Sequence, residues 1–165
     1  MLDLIKTRRS IRKFKEGEVS DELIDRILIS GVWAPSGLNN QPWRFAVIKD
    51  QTVKEQIAGL THYSKIVRAA NALIIVFLDN GTSYDRTKDV QSIGACIENM
   101  LLAIHGLGLG GVWLGEILRN REAVAQALEA PEGYELMAVI AFGIPAESPH
   151  PHERKPLSEL VFYRR

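Results

Sequence analysis

The sequence has few of the features that would place it outside the cell or in a membrane. Its single cysteine, Cys96, excludes an intramolecular disulfide framework. The longest apolar run, residues 72–78, is far too short to cross a bilayer as a helix. Residues 1–12 become charged by position 3 and do not contain the apolar core of a signal peptide. We therefore expect a cytoplasmic protein without membrane association.

An excess of charge of one sign is also missing. Twenty Lys and Arg residues balance twenty Asp and Glu residues, so the formal net charge is zero. The protein as a whole therefore has no field that would recruit nucleic acid or an anionic membrane surface. The 165 residues contain no internal repeat, low-complexity tract or linker, and we expect residues 1–165 to form one domain.

Hydrophobic periodicity and turn residues predict an α+β fold. One helix is expected to begin after Ser20, its predicted N-cap, and to end before Pro35. Thr52 and Glu55 have the spacing of a capping box for a second, short helix. Further helices are predicted over 89–107 and 120–128, and strands over 44–49, 72–78, 111–114 and 136–142. These elements predict a central sheet of four or five strands with helices on both faces.

Two segments indicate a partner subunit. The predicted helix 89–107 is apolar around most of its circumference. One small domain seldom covers such a helix, so part of it is expected to face another subunit. After Gly143 the chain is rich in proline and ends in Leu160-Val161-Phe162-Tyr163. This apolar end is expected to form a strand in an arm that lies across another subunit.

The segment Arg8-Arg9-Ser10-Ile11-Arg12 is the first candidate binding site. In an extended chain, alternation places Arg8, Ser10 and Arg12 on one face. Two guanidinium groups and a hydroxyl would form a receptor for a phosphate, because each arginine offers a planar fork of donors. A solvated basic patch or a helix C-terminus also explains these residues, and the segment taken alone favours that plainer interpretation.

Residues 34–43, with the sequence APSGLNNQPW, form the second candidate site. Most of these residues form turns or carry amide groups, so the loop can present N–H donors and C=O acceptors side by side. The pyrimidine edge of a flavin requires that mixture. A long turn that caps its own backbone would have the same composition, and both interpretations stay open at this point.

Together and in order, these segments resemble those of the nitroreductase family of flavoproteins. Arg-Ser-x-Arg-x-Phe near the N-terminus is followed by Pro-Ser-x-x-Asn-x-Gln-Pro-Trp, then by GLGGVWLG at 108–115 and RKPL at 154–157. These landmarks extend from Thr7 to Leu157, nearly the whole chain. The resemblance implies a nitroreductase-like α+β fold with a mostly antiparallel sheet. It also implies a homodimer with FMN at the subunit interface and a C-terminal arm that crosses to the partner.

The resemblance assigns roles to individual positions. One group would hold the FMN phosphate and ribityl chain: Arg8, Arg9, Ser10 and Arg12, with Arg154 returning from the tail. A second group would reach the flavin from the other subunit: Pro35, Ser36 and Asn39, with Gln41 close by. A third group would pass beside the isoalloxazine: Trp113, Leu114 and Gly115. A backbone N–H near Leu114 and Gly115 can reach N5, so no catalytic side chain is required.

The activity implied is ping-pong redox catalysis. NADH or NADPH would reduce the FMN, and a nitro-aromatic compound, a quinone or a similar electron-poor acceptor would then take the electrons. Only residues 79–88 occupy the region where many family members insert a helical cover. The alternatives are therefore a specialised flavin enzyme, such as a reductive dehalogenase or dehydro-amino-acid oxidase, or a non-catalytic flavin-binding module. Four residues are the candidates for substrate contact: His62, Tyr63, Tyr84 and Arg86.

Three other signals predict no further site. The glycines at 106–111 follow a helix and open a strand, which is the reverse of a dinucleotide-binding fingerprint. His150 and His152 are separated by Pro151 and lack a surrounding cluster of ligands, so no metal site is predicted. Cys96 lies among apolar neighbours and is expected to be a core residue, not a nucleophile.

Overall fold

The strand sequences are rich in β-branched and large apolar residues, and they assemble into one buried sheet. The computed structural model describes residues 1–148 and 153–165. Its strands are β1 (Trp43–Ile48), β2 (Ala72–Asp79), β3 (Gly110–Leu114) and β4 (Tyr134–Gly143). Neighbouring strands are antiparallel, and their order is β1-β2-β4-β3. The predicted α+β class and antiparallel sheet are confirmed.

The helices of the described residues flank this sheet. They are α1 (Leu2–Thr7), α2 (Asp21–Val32), α3 (Gln51–Ala58), α4 (Ser64–Ala69), α5 (Arg86–Gly106), α6 (Arg121–Ala127) and α7 (Leu157–Leu160). Short 3-10 turns occupy Gly37–Asn39 and Glu116–Asn120. The predicted helices and strands up to residue 143 are present with ends shifted by a few residues, and α1 and α4 are additional. Within the described ranges, no helix is long and apolar enough to cross a membrane.

Alternation along β2 divides the core into two layers. Ile74 and Val76 face α2 and α5, whereas Leu73 and Ile75 face α3, α4 and α6. All four of these side chains are fully buried, and each such burial contributes about 1.5–3 kcal/mol. The run 72–78 is therefore continuously apolar because helices cover both faces of the sheet.

The helix caps confirm one predicted helix start and correct another. Ser20 is the N-cap of α2, and its Oγ accepts a hydrogen bond from Leu23 N at 3.4 Å. The predicted capping box of Thr52 and Glu55 is wrong. Asp50 caps α3 instead, with Oδ1 accepting from Val53 N at 2.9 Å, because this carboxylate follows β1 directly and suits the positive helix end. Glu55 pairs with Arg68.

Helix α5 is covered on one side by its own chain, and the expectation that part of it faces a partner stays a prediction. Ile93, Ile97 and Met100 pack in the layer between the sheet and α2, with at most 1% exposed. An apolar surface stays exposed along α2 and the neighbouring part of α5. Ile29 is 56% exposed and Trp33 is 82% exposed. A groove of about 550 Å³ follows this surface, and its apolar lining includes Leu4, Ile29, Leu102, Ala103 and Leu107.

The C-terminal segment does not form the predicted strand. Leu157–Leu160 is the short helix α7, and residues 161–165 follow it without strand pairing. Phe162 and Tyr163 are exposed, because the described part of the same chain does not cover them. A strand needs a neighbouring strand to satisfy its backbone, and the tail has none in a single chain. His150 and His152 lie outside the described residues.

Candidate functional site

Main-chain hydrogen bonds place the segment after α1 along the free edge of β3. Ser10 forms a parallel bridge with Gly111, and Ile11 N donates to Gly111 O at 3.0 Å. Gly110 permits this approach, because a Cβ at that position would lie 2.7 Å from Ile11 Cβ. The fold thus brings two of the predicted site segments, 8–12 and 113–115, to one edge of the sheet.

The arginines of this edge have donor atoms without acceptors. The Nε atoms of Arg8 and Arg9 are buried, and neither has a hydrogen-bond partner among the described residues. Arg8 Nε lies 3.4 Å from Glu98 Oε1, which is an ion pair without hydrogen-bond geometry. Arg12 is exposed, and its Nη1 lies 3.4 Å from Ser10 O. Buried cationic donors without acceptors are costly, so the residues present fit an anionic group such as a phosphate.

The end of β3, the strand with which the segment 8–12 pairs, offers an open face. Val112 and Leu114 are buried against the α3 and α6 layer, whereas Trp113 points to the opposite face and is 42% exposed. A Cβ at Gly115 would meet no other atom within 4 Å. The backbone of 113–115 therefore borders space that could admit a flat ligand.

Glu116, directly after this open face, was not singled out in the sequence. Its Oε2 accepts from Thr61 Oγ1 at 2.8 Å and from His62 N at 3.1 Å, and His62 Nε2 lies 3.5 Å from Oε1. The hydrogen bond from Thr61, helped by His62 and Arg119, outweighs desolvation and lowers the pKa of this carboxyl. Glu116 thus places the predicted substrate residues His62 and Tyr63 close to Gly115. Fifty-five residues separate Glu116 from Thr61, so no local pattern could have revealed this contact.

The loop between α2 and β1 has an unfavourable backbone. Leu38, Asn39 and Gln41 have φ values of 55°, 55° and 47°, a conformation that costs about 1–2 kcal/mol per non-glycine residue. Gln41 N donates to Ser36 Oγ at 3.1 Å, and Gln41 Nε2 donates to Asn39 O at 3.2 Å. The loop therefore caps part of its own backbone, as the plainer interpretation predicted. It also holds strain, which persists only where the surroundings fix it.

A buried carboxylate, that of Asp89, accepts a hydrogen bond from this loop. Asp89, near the start of α5, is fully buried, and its Oδ1 accepts from Asn40 Nδ2 at 2.8 Å. Its Oδ2 accepts from Ser83 Oγ at 2.7 Å and from Tyr84 N at 3.1 Å. Desolvation would raise the pKa of this carboxyl, but the hydrogen bonds from Ser83, Asn40 and two backbone N–H groups hold it below its ordinary value. Asp89 is a second residue that sequence reasoning missed.

The remaining candidates for substrate contact separate in space. Tyr84 packs its hydroxyl against Gly37 and joins Pro35 and Ser36 in the lining of a cavity of about 330 Å³. Arg86, in contrast, makes a bidentate ion pair with Glu135, with both N–O distances at 2.9 Å. Tyr84 is therefore next to the predicted loop, whereas the Arg86 guanidinium is engaged with β4.

One chain does not bring the two halves of the predicted site together. The loop 36–41 leads into β1, and residues 8–12 lie along β3, at opposite edges of the four-stranded sheet. Three strand spacings separate these edges, which is about 14 Å. Arg154 is exposed and donates to the neighbouring Glu153 O. Among the described residues, no hydrogen bond or ion pair joins Arg154 to residues 8–12.

Comparison with known proteins identifies the family. A sequence profile of the Nitroreductase family matches residues 5–64 and 54–144. A protein of Methanothermobacter thermautotrophicus, provisionally named NADH dehydrogenase/NAD(P)H nitroreductase, is 39% identical over 151 residues, which cover 90% of this chain and 79% of that protein. A provisionally named nitroreductase of Desulfovibrio desulfuricans, crystallised with FMN, is 46% identical with a TM-score of 0.95, over 99% of this chain and 96% of the other.

A third match agrees with these two. The crystal structure of a Bacteroides thetaiotaomicron protein, provisionally named NADH dehydrogenase/NAD(P)H nitroreductase, is 32% identical with a TM-score of 0.90, over 99% of this chain and 96% of the other. The fold and the matched sequence define an oxidoreductase. The chain belongs to the nitroreductase family, and the resemblance inferred from its motifs is confirmed.

Proposed function

We propose that the protein is an FMN-dependent oxidoreductase that uses NADH or NADPH to reduce electron-poor acceptors, chiefly nitro-aromatic compounds and quinones. The observation that carries this proposal is that the segment with the buried, unbonded Nε atoms of Arg8 and Arg9 pairs with the same edge strand that ends at the open backbone of Gly115. Cationic donors and unfilled space along one strand suit a phosphate joined to a planar ring. FMN has both parts, and the Desulfovibrio relative was crystallised with it.

The roles of the site residues are part of this proposal. One group holds the phosphate and the ribityl chain: Arg8, Arg9, Ser10 and Arg12, joined by Arg154. A second group lies beside the ring system: Trp113, Leu114 and Gly115, with a backbone N–H of 114–115 at N5. Bound FMN supplies the hydride and electron chemistry, and the protein supplies position and electrostatics. No side chain is then required as a catalytic acid, since water can deliver the proton.

A homodimer completes the proposed site. Pro35, Ser36, Asn39 and Gln41 lie at the sheet edge opposite to that of the arginines, so a second copy has to supply them. The exposed apolar residues Ile29, Trp33 and Leu38 provide surface that such a contact would bury, and so does the C-terminal tail. In this arrangement the tail crosses to the partner, which gives the segment 157–163 the cover that its own chain lacks.

The visible spectrum of the purified protein is the first test. A yellow protein whose flavin bands bleach on anaerobic addition of NADH or NADPH supports the enzyme. A bound flavin that neither nucleotide reduces would instead support a binding module. A colourless protein that fails to take up added FMN would refute the proposal.

Steady-state kinetics then test the mechanism and the acceptor. Parallel double-reciprocal lines for nucleotide and acceptor are expected, because one product leaves before the acceptor binds. Intersecting lines with flavin bound would contradict the ping-pong scheme. A quinone and a halotyrosine measured side by side separate the general reductase from a specialised dehalogenase, and turnover of the halotyrosine alone would favour the latter.

Complementation between two defective variants tests the shared site. One variant carries Arg8→Ala and Arg12→Ala, and the other carries Ser36→Ala and Asn39→Ala. If each site uses arginines from one chain and the loop from the other, a mixed dimer has one intact site, and co-expression restores flavin binding. If each site is built within one chain, both sites of the mixed dimer stay defective and no flavin is recovered.

A further inference from the structure

The side chain of Asn40 connects the loop 36–41 to the rest of the protein. Asn39 and Gln41 have left-handed backbones, and the residue between them, Asn40, points into the protein. Asn40 Nδ2 donates to Asp89 Oδ1 at 2.8 Å and to Thr82 O at 3.1 Å. Arg44 Nη1 of β1 donates to Gln41 O at 3.1 Å at the end of the loop, and the two Asn40 contacts connect the tip of the loop to the fold.

The contact holds buried polar atoms that are costly to remove from water. Asn40 Oδ1 is buried without a hydrogen-bond partner among the described residues. Asp89 is fully buried without a cation within 4.0 Å among those residues, and hydrogen bonds alone compensate its charge. The loop's ends are already fixed, because Ala34 and Trp43 lie in the core. What the contact adds is the conformation of the residues between them.

We propose that Asp89 and Asn40 are positioning residues of the flavin site. The carboxylate holds Asn40, and Asn40 holds its two neighbours in the left-handed conformation in which they reach the cofactor of the partner subunit. Neither Asp89 nor Asn40 has to touch the cofactor for this role. The inference rests on the proposed function, since it assigns the support of the half-site that the second copy supplies.

Exchange of the two side chains tests the proposal. Asp89→Asn replaces one carboxylate oxygen by an NH2 group, so it loses the acceptor either for Asn40 Nδ2 or for Ser83 Oγ and Tyr84 N. Asn40→Asp places two carboxylates in contact. Each single variant is expected to raise the dissociation constant for FMN about tenfold or more, as for the loss of one hydrogen bond to a charged group. The double variant Asn40→Asp/Asp89→Asn restores one donor–acceptor pair, and its affinity is expected to recover by more than additivity allows.

The control separates position from stability. Ile57→Val removes one methylene from the opposite core layer, where Ile57 is fully buried, and is expected to lower stability without changing FMN affinity. Urea unfolding of each flavin-free variant gives its stability. Hydrogen exchange of Gln41 N–H reports the loop itself, and faster exchange is expected in the two single variants but not in the control.

Two results would overturn the inference. One is that both single variants lose stability but bind FMN like the unaltered protein; the other is that the double variant binds no better than the singles. If Asp89→Asn does not fold, Ser83→Ala removes one donor to the same carboxylate, and unchanged FMN affinity there would equally refute the role. Failure of the unaltered protein to bind FMN would instead refute the proposed function.

Discussion

The two halves of the proposed site are built in opposite ways. Residues 8–12 are attached to β3 through their backbone, and the Nε atoms of Arg8 and Arg9 have no acceptor among the described residues. The loop 36–41 is attached through the side chain of Asn40, and its strained backbone faces outward. The first half depends on the identity of the residues that touch the ligand. The second depends on residues behind it, so its loss can originate at positions with no ligand contact.

Removing the charges of the first half should have the largest effect. Arg8→Ala with Arg12→Ala should weaken FMN binding by about a hundredfold or more, because each charge-assisted contact contributes about 1.5–3 kcal/mol. Quenching of FMN fluorescence on titration gives the dissociation constant. Lys49→Ala with Arg68→Ala removes the same charge from exposed ion pairs elsewhere and should leave FMN affinity within about twofold. Equal losses in both pairs would mean that only net charge matters.

The next largest effect is expected when the first half is displaced without a change in its arginines. Gly110→Ala places a methyl group 2.7 Å from Ile11 Cβ, so residues 8–12 must move from the edge of β3. We expect a loss of about 1–3 kcal/mol in stability, as for overpacking, together with weaker FMN binding. Gly59→Ala, at the end of α3 with φ of −67°, is the control and should change neither. An unaltered FMN affinity in Gly110→Ala would show that the backbone attachment is dispensable.

Protonation of Asp89, which supports the second half, should lower the stability of the protein only under strongly acidic conditions. Because hydrogen bonds hold the pKa of Asp89 below its ordinary value, its contribution to stability is complete above about pH 3.9 and is lost as the pH falls through the lower folded-state pKa. Urea unfolding should therefore show a constant difference between the unaltered protein and Asp89→Asn from pH 5 to 8, and a shrinking difference below pH 4. A difference that changes between pH 6 and 8 would contradict this assignment.

The buried thiol of Cys96, in the core between the two halves, should not react in the folded protein. Burial raises the pKa of the Cys96 thiol to about 12, so the native thiol should not react with a thiol reagent at pH 8. Because this pKa is raised above its ordinary value of about 8.5, the corresponding stability is complete below that pH and is lost progressively as the pH rises toward about 12. Labelling should require unfolding of the layer between α2 and α5. Rapid labelling of the folded protein would show that this layer opens locally.

Local sequence patterns predicted most of the helices and strands. Alternation and continuous apolar runs located the four strands, and Ser20 located the start of α2. The order of motifs along the chain identified the family and predicted a site at residues 8–12, 34–43 and 113–115, and the structure brings 8–12 and 113–115 to one sheet edge. The strand and helix signals each lie within about ten residues, so proximity along the chain was sufficient for them.

The sequence was a poor guide where contacts join distant residues. The bonds from Asp89 to Asn40 and from Glu116 to Thr61 span 49 and 55 residues, so neither carboxylate could be distinguished from an ordinary surface acid. The tail was predicted as a strand from composition alone, although a strand also needs a neighbour.

Residues 10–14 have a second effect, on association between molecules. Unpaired N–H and C=O groups at a sheet edge form a template onto which another chain can add, and natural proteins cover or charge such edges. The parallel bridge of Ser10 to Gly111 covers the first part of the apolar edge GGVWL, and Arg12 and Lys13 place charge beside it. Deletion of residues 1–14 should therefore yield a protein that aggregates through β3, visible as light scattering, before any loss of secondary structure.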